Sequence, residues 1–476
     1  MAETIGRKQI GKNITLSLTA QVISLLVGCI VYLVVPKVIS ELNYAYWQTF
    51  VLYANYVYLA NFGILDGILL RYSSFDLEEL DKPTMRSQFK ILLLLNCVTS
   101  FLMIIIALFI TGRVTKTILI LLAFVLITRN AFTYSSYSFQ ITNRIKEYAI
   151  IIIVQRVSFG LFFVALMLLH IDNYIFYCAA EIMGDVVGFL VGIKFNRGMY
   201  IGESLTWEKA WREFRDNTSA GLMILIANLA SSFLIGGARM VVQWHWAPLV
   251  FGKVSLAVSI ANMFLVFITA ISVALFPSLK RIEENKLPTI YNGVRKTLSP
   301  VMFLILLLYF PAAFILTLWL PIYAISMKYL GIILPFIVFT SRVNLLTNNY
   351  LKAYRMERHI FVVNIVSIAS AFILFCLFAF VVENLLALLI TLVAAVMFQS
   401  ILLEAKVMKI IQMKFYKDII IEGTITTIFI ICTQLAGLLY GFFLYLMCFV
   451  VYSLLYYKEW KVIIDHLGAK DDIDIN

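Results

Sequence analysis

The feature that most constrains this chain is the recurrence, from end to end, of apolar stretches long enough to cross a lipid bilayer. A hydrocarbon core about 30 Å thick is spanned by about 20 apolar residues in a helix that rises about 1.5 Å per residue. Such stretches lie at 14–39, 46–70, 89–111, 117–140, 148–170, 174–194 and 218–240, then at 253–277, 298–320, 328–350, 360–382, 384–405, 418–436 and 438–457. Within hydrocarbon the backbone amides must be satisfied inside the segment, so each stretch reads as a helix. Composition agrees, with 62% hydrophobic and 14% charged residues, far from the usage of soluble domains. The polar stretches left over, near 71–88, 195–217 and 278–296, are each only about 20 residues long, too short for a separate catalytic domain. The first apolar stretch follows Arg7, Lys8 and Lys12 as a signal peptide would. It is too long for one and lacks a small-residue cleavage site, so it is expected to remain as helix 1.

Charge gives an independent test, because lysine and arginine collect in cytoplasmic connections. When the connections are assigned alternately starting from the inside, only Lys37, Arg113, Lys116, Lys253 and Lys328 of the 38 basic residues fall outside. Arg129, Arg156, Arg239 and Arg342 fall within spans or at their ends, and all others lie inside. One missed helix would scramble this alternation. The expected fold class is therefore an all-α integral membrane protein of about fourteen transmembrane helices with both termini cytoplasmic. The net charge of +11 follows from this topology and the anionic inner leaflet, and nucleic-acid binding is not expected. All six cysteines fall in spans and none of the four histidines stands at ligand spacing from Cys or Glu, so no metal site is expected. No phosphate-binding loop of the GxxxxGK[ST] type occurs.

Polar residues inside spans are expensive in hydrocarbon and face protein or a water-filled path. In the second span Gln48, Asn55 and Asp66 are spaced by 7 and 11 residues and would share one face of a continuous helix. The fourth carries Arg129, Thr133, Ser136 and Gln140 on a stripe, and the first carries Ser17, Gln21, Ser24 and Gly28. The seventh offers Asn228 and Ser231, the eighth Ser255, Ser259, Asn262 and Thr269, and the tenth Arg342 with Asn349 and Asn344 with Asn348. These stripes imply a hydrated cavity, against the alternative that they are interhelical hydrogen bonds worth about 1 kcal/mol each. Arginine cannot shed its charge, so Arg129, Arg156 and Arg342 are expected either to face an anion or to pair with Asp66, Glu181 or Asp185, while Arg239 is placed to snorkel. Gly184, Gly188 and Gly192 share the sixth span with Glu181 and Asp185 and are expected to permit close helix packing. A parallel repeat is suggested by Asn13 to Ser17 against Asn217 to Gly221 and by Tyr53-Ala54-Asn55 against Ile260-Ala261-Asn262, as in transporters with two lobes.

The helix from Asn13 to Pro36 with Gln21, the run Tyr44-Ala45-Tyr46-Trp47, the stretch from Asn61-Phe62-Gly63-Ile64-Leu65-Asp66-Gly67 to Tyr72, and the segment from Leu275 to Arg281 carry a family resemblance. They resemble the polysaccharide-transporter branch of the multidrug/oligosaccharidyl-lipid/polysaccharide exporter superfamily, and within it the O-antigen or capsule repeat-unit flippases. The resemblance implies a lobe over 1–194, a cytoplasmic linker over 195–217, a second lobe over 218–407, and over 408–476 a further helix pair with a cytoplasmic tail. It implies a cavity lined by cations, alternating access, and transfer of undecaprenyl-pyrophosphate-linked oligosaccharide between leaflets of a bacterial cytoplasmic membrane. A polymerase and glycosyltransferases of the same pathway are the implied partners, with no covalent chemistry and no cofactor. Coupling to a proton or sodium gradient would fall to Asp66, Glu181 and Asp185. Where this family would place an Asp-Arg pair at the end of helix 7, this chain has Ala238-Arg239. A murein-precursor flippase has the same architecture, as does a multidrug antiporter, whose cavity should be rich in acids. A membrane polymerase should display a long outer loop.

Overall fold

The computed structural model describes residues 2–73, 78, 80–279, 287–413 and 415–468, and side chains at 2–18, 231, 266–279 and 458–468 are not among those described. Among the described residues every regular element is helical. In chain order these are α1 Ala2–Val38, α2 Glu41–Ala54, α3 Ile64–Tyr72, α4 Lys82–Phe109, α5 Arg113–Ile141, α6 Ile145–Leu168, α7 Tyr174–Phe195, α8 Trp207–His245 and α9 Pro248–Leu279. They continue as α10 Leu287–Leu306, α11 Tyr309–Trp319, α12 Ala324–Ile333, α13 Phe336–Ser341, α14 Asn348–Ala353, α15 Glu357–Cys376, α16 Leu385–Ile411, α17 Tyr416–Leu435 and α18 Leu438–Gly468. Eleven helical stretches are long and apolar enough to cross a membrane, and two bent pairs, Trp207–Ala230 with Ser232–His245 and Pro321–Ile333 with Phe336–Ala353, raise that number to 13.

The second expected span is the one that departs. It is divided into α2, a short turn of 3-10 helix over Val57–Asn61, and α3. The break has a local cause: the Asn61 carboxamide accepts the Gly63 N–H at 2.8 Å, and Phe62 and Gly63 take left-handed φ angles of 53° and 83° in succession. Two such residues end one helix and re-aim the next. The expected common face of Gln48, Asn55 and Asp66 therefore does not form. Gln48 is buried on α2, Asn55 is the exposed residue capping its C-terminus, and Asp66 is buried in the first turn of α3.

The chain forms two compact units, one of Met1–Ser232 with Trp246–Gly252, the other of Phe233–His245 with Lys253–Asn476. In the first, α3 lies against α8 backbone to backbone. A Cβ on Gly63 would stand 2.7 Å from the Gly221 carbonyl carbon, and one on Gly67 would fall on the Asn217 carbonyl oxygen. Polar groups fix the same contact: Arg71 donates to Asn217 Oδ1 at 2.6 Å and to Glu213 at 2.9 Å, and the Tyr72 hydroxyl donates to Glu213 at 2.8 Å. Asn217, which immediately precedes the seventh apolar stretch, lies inside α8, fully buried, since α8 begins ten residues earlier at Trp207. Along α7 the expectation for the glycines holds. A Cβ on Gly184 would meet Phe159 of α6 at 3.0 Å, and one on Gly188 would meet Phe132 of α5 at 2.7 Å and Gln155 of α6 at 2.8 Å.

In the second unit the tenth expected span is bent by 49° between Ile333 and Phe336, where Pro335 supplies no backbone donor. It then widens into a π-helical turn over Arg342–Thr347. α17 and α18 pack on each other through Phe429 and Tyr445, whose ring centroids are 4.9 Å apart, and Tyr445 donates to the Phe303 carbonyl of α10 at 3.0 Å.

Candidate functional site

Each unit holds a group of ion-paired arginine and carboxylate side chains, with one arginine in the first and two in the second. In the first unit Arg129 stands in the middle of α5, and Glu181 and Asp185 stand one turn apart on α7. Arg129 Nε donates to Asp185 at 2.9 Å and Nη2 to Glu181 at 3.2 Å. The Gln155 amide of α6 donates to the second oxygen of Asp185 at 3.0 Å. The glycine face of α7 allows this, since Gln155 sits where a larger residue at 184 or 188 would collide. Thr133 donates to the Arg129 carbonyl at 2.8 Å, so it serves its own helix. Arg156, the residue after Gln155, is exposed. Removing Asp185 would take away the carboxylate held most deeply. We expect Asp185→Ala to lower the amount of folded protein in the membrane and Arg129→Met in the same chain to restore part of it, as measured by size-exclusion monodispersity of the extracted protein. A double variant no better than the single would refute the pairing.

The second group is larger and was not anticipated. Arg295 of α10 donates to Glu404 of α16 at 2.6 Å and to Asp418 of α17 at 3.2 Å, and lies 3.5 Å from Glu422 of α17. Arg342, at the start of the π turn, stands 3.3 Å from Glu404 and 2.6 Å from Glu422, and donates to the Ser299 hydroxyl at 3.1 Å. Tyr291 donates to Glu404 at 3.3 Å and Tyr456 of α18 to Asp418 at 2.5 Å. Relative exposures of 2% for Arg295, 1% for Arg342 and 0% for Glu404 leave these charges with little solvent. The Phe415 ring sits under Arg295 with 4.5 Å between the guanidinium carbon and the ring centroid. Two guanidiniums thus face three carboxylates.

The remaining expected site residues are scattered. Arg239 is buried in α8, Gln21 is exposed on α1, Asn228 is exposed on α8, and Gln140 and Asn262 are half-buried. Gln48 donates to the Tyr44 hydroxyl at 3.1 Å, and Asn349 to the Leu345 carbonyl at 2.8 Å. Asp66 is buried and has no ion pair among the described residues. The side chains of Ser17, Ser231 and Thr269, and residues 280–281 of the Leu275 to Arg281 segment, lie outside the described residues. Sequence reasoning assigned Arg295 to a cytoplasmic connection and gave Glu404, Asp418 and Glu422 no role. The available signal was the Asp418/Glu422 pair, one turn apart at the start of an apolar span. Among the described residues no group of three or more His, Cys, Asp or Glu could hold a metal ion.

The fold and these sites define a polytopic, all-helical membrane protein built of two units. No family model matches the chain, and neither does any curated protein. Solved structures do. The chain is similar to the lipid II flippase MurJ in an inward closed conformation, with a TM-score of 0.68 and 12% identity over 94% of this chain and 98% of that one. It is similar to an inward-facing multidrug resistance MATE family transporter of the MOP superfamily, with a TM-score of 0.61 and 11% identity over 82% of this chain and 98% of that one. A MOP superfamily transporter from Pyrococcus furiosus follows, at 0.51 and 12% over 84% and 94%. The chain therefore has the fold shared by MOP superfamily flippases and transporters.

Proposed function

We propose that the chain is a flippase carrying undecaprenyl-pyrophosphate-linked oligosaccharide from the inner to the outer leaflet of a bacterial cytoplasmic membrane by alternating access. The observation that carries this reading is the extent of the likeness: it runs over 94% of the chain for a lipid II flippase against 82% for a multidrug transporter. The C-terminal pair α17 and α18 suits a lipid-tailed cargo, since Leu435, Leu439, Phe443, Met447 and Leu454 expose a continuous apolar face. Of Arg129, Arg156, Arg342 and Arg239, the cations this reading gives to the pyrophosphate, Arg156 is the exposed one, and among the described residues no carboxylate lies within ion-pair distance of it. Arg129, held by Glu181 and Asp185, keeps a quarter of its side chain exposed. Arg239 and Arg342 are buried in the second unit, so their contribution comes through position rather than first contact. Gradient coupling rests on Asp66, Glu181 and Asp185, and the pathway's glycosyltransferases and polymerase supply and consume the cargo.

The test is surface-polysaccharide export in a strain lacking its own flippase, with membrane abundance measured alongside. A charge-assisted hydrogen bond is worth about 1.5–3 kcal/mol, so Arg156→Gln should lower export roughly tenfold or more at unchanged abundance, with partial recovery in Arg156→Lys. Full export from a stable Arg129→Gln/Arg156→Gln chain would overturn the anion contact. The carboxylates outnumber the arginines in the second unit, which favours a cation antiporter as the second reading. Drug resistance without export in the same strains would select it.

A further inference from the structure

The first turns of α8 carry an aromatic ladder that the transport reading leaves unused. Trp207, Trp211 and Phe214 fall on one helix face; Trp207 and Trp211 stack at 6.2 Å, and Trp211 and Phe214 at 4.8 Å. The two tryptophans are 62% and 52% exposed, which for large rings in neat register calls for an occupant. Lys209, Arg212 and Arg215 are exposed on the same turns, and among the described residues none has a carboxylate within ion-pair distance. The acid nearest them in sequence that faces inward, Glu213, is already taken by Arg71 and Tyr72. Lys194 and Arg197 are exposed just upstream, against Glu203 and Glu208 as the exposed acids, so the surface is net positive.

We propose that this ladder and its cations form a binding surface for the headgroups of anionic phospholipids. Two observations select lipid over a soluble partner. The surface is continuous with lipid-facing residues of the same helix, since Leu222 and Met223 are exposed within a stretch apolar enough to span. Its depth also fits. At about 1.5 Å per residue, Phe214, Trp211 and Trp207 lie about 6, 10 and 16 Å beyond the apolar stretch that opens at 218, so the ladder starts within the headgroup layer, which flanks the core by about 5–8 Å on each side, and runs out through its water-facing edge. Tryptophan is enriched at that depth because its ring is apolar and its N–H is wet. Guanidiniums bind phosphate oxygens bidentately.

The inference does not depend on the cargo, and its test does not measure transport. The purified full chain is placed in nanodiscs of phosphatidylcholine, with or without phosphatidylglycerol. Phosphatidylglycerol should raise the thermal unfolding midpoint of the wild-type chain, and Arg212→Gln/Arg215→Gln should lose that rise while unfolding normally in phosphatidylcholine alone. Lipids carrying a quencher on the headgroup should quench tryptophan emission, and the quenched fraction should fall in Trp207→Phe/Trp211→Phe, whereas quenching by lipids brominated deep in the chain should not. Either a rise that persists in the arginine variant or a headgroup-quenched fraction that does not fall when Trp207 and Trp211 are lost, measured against the five other tryptophans of the chain, would overturn the proposal. The latter result would mean that the ladder meets water or a soluble protein.

Discussion

Glu404→Ala will remove most of the folded protein from the membrane. Glu404 is fully buried and receives donors from Arg295, Arg342 and Tyr291. Its loss leaves Arg295 and Arg342 balanced in charge by Asp418 and Glu422, but it strips three buried donors, on Arg295, Arg342 and Tyr291, of their shared acceptor. Breaking a buried pair costs about 3–5 kcal/mol, comparable with the lower end of the total of about 5–15 kcal/mol that holds a domain together. Arg295→Met should do the same from the other side, leaving Asp418 with Tyr456 alone and Glu422 with Arg342. The measurement is fluorescence-detected size exclusion of a tagged chain. Glu357→Ala, at an exposed position in the first turn of α15, should leave the folded fraction unchanged. A Glu404→Ala chain as abundant and monodisperse as wild type would show that the cluster is not what holds α16 and α17 to α10.

The second large effect is expected at Gly221. A Cβ there would fall on the Gly63 carbonyl oxygen and the Gly67 nitrogen, which are backbone atoms and cannot rotate away. Gly221→Leu must separate α3 from α8, and the hydrogen bonds that Arg71 and Tyr72 make to Glu213 and Asn217 break with that separation. We expect destabilisation by several kcal/mol, since overpacking alone costs about 1–3 kcal/mol and the broken hydrogen bonds add to it. Gly293→Ala offers the contrast, because nothing lies within 4 Å of a Cβ at that position of α10; replacing a helical glycine in open space should stabilise by about 0.5–1 kcal/mol. Equal behaviour of the two variants in thermal unfolding would refute the close approach.

Hydropathy made the spans legible because lipid imposes one rule on every segment. Each of the fourteen apolar stretches corresponds to helical structure, and the glycines of α7 could be read as a packing face from their spacing alone. The break in the second span was written in Asn61 and Gly63, but the surrounding residues are apolar enough that a window average passes over a two-residue reversal. The contact between α3 and α8 joins two stretches that the sequence had marked for separate reasons, the Asn61 to Tyr72 stretch and the Asn217 to Gly221 repeat. Nothing local says that they touch. Pairing was the least legible property. Arg129 with Glu181 and Asp185 was foreseeable, since all three stand in mid-span with few other charges available. Arg295 and Glu404 are 109 residues apart, and Arg295 and Asp418 are 123 apart. Each sits near the end of its span, where the inside rule accounts for a charge without requiring a partner.

That second-unit cluster also says what the C-terminal helix pair is for in electrostatic terms. Of its three carboxylates, two, Asp418 and Glu422, arrive on α17, while both guanidiniums belong to the helices before it. With α17 in place the five groups sum to one negative charge; with the chain ended after α16, Glu404 alone would face Arg295 and Arg342, and the same pocket would carry one positive charge. The last two helices therefore act as a covalently tethered counter-ion, and deleting them would turn a closed polar interior into an open cationic site.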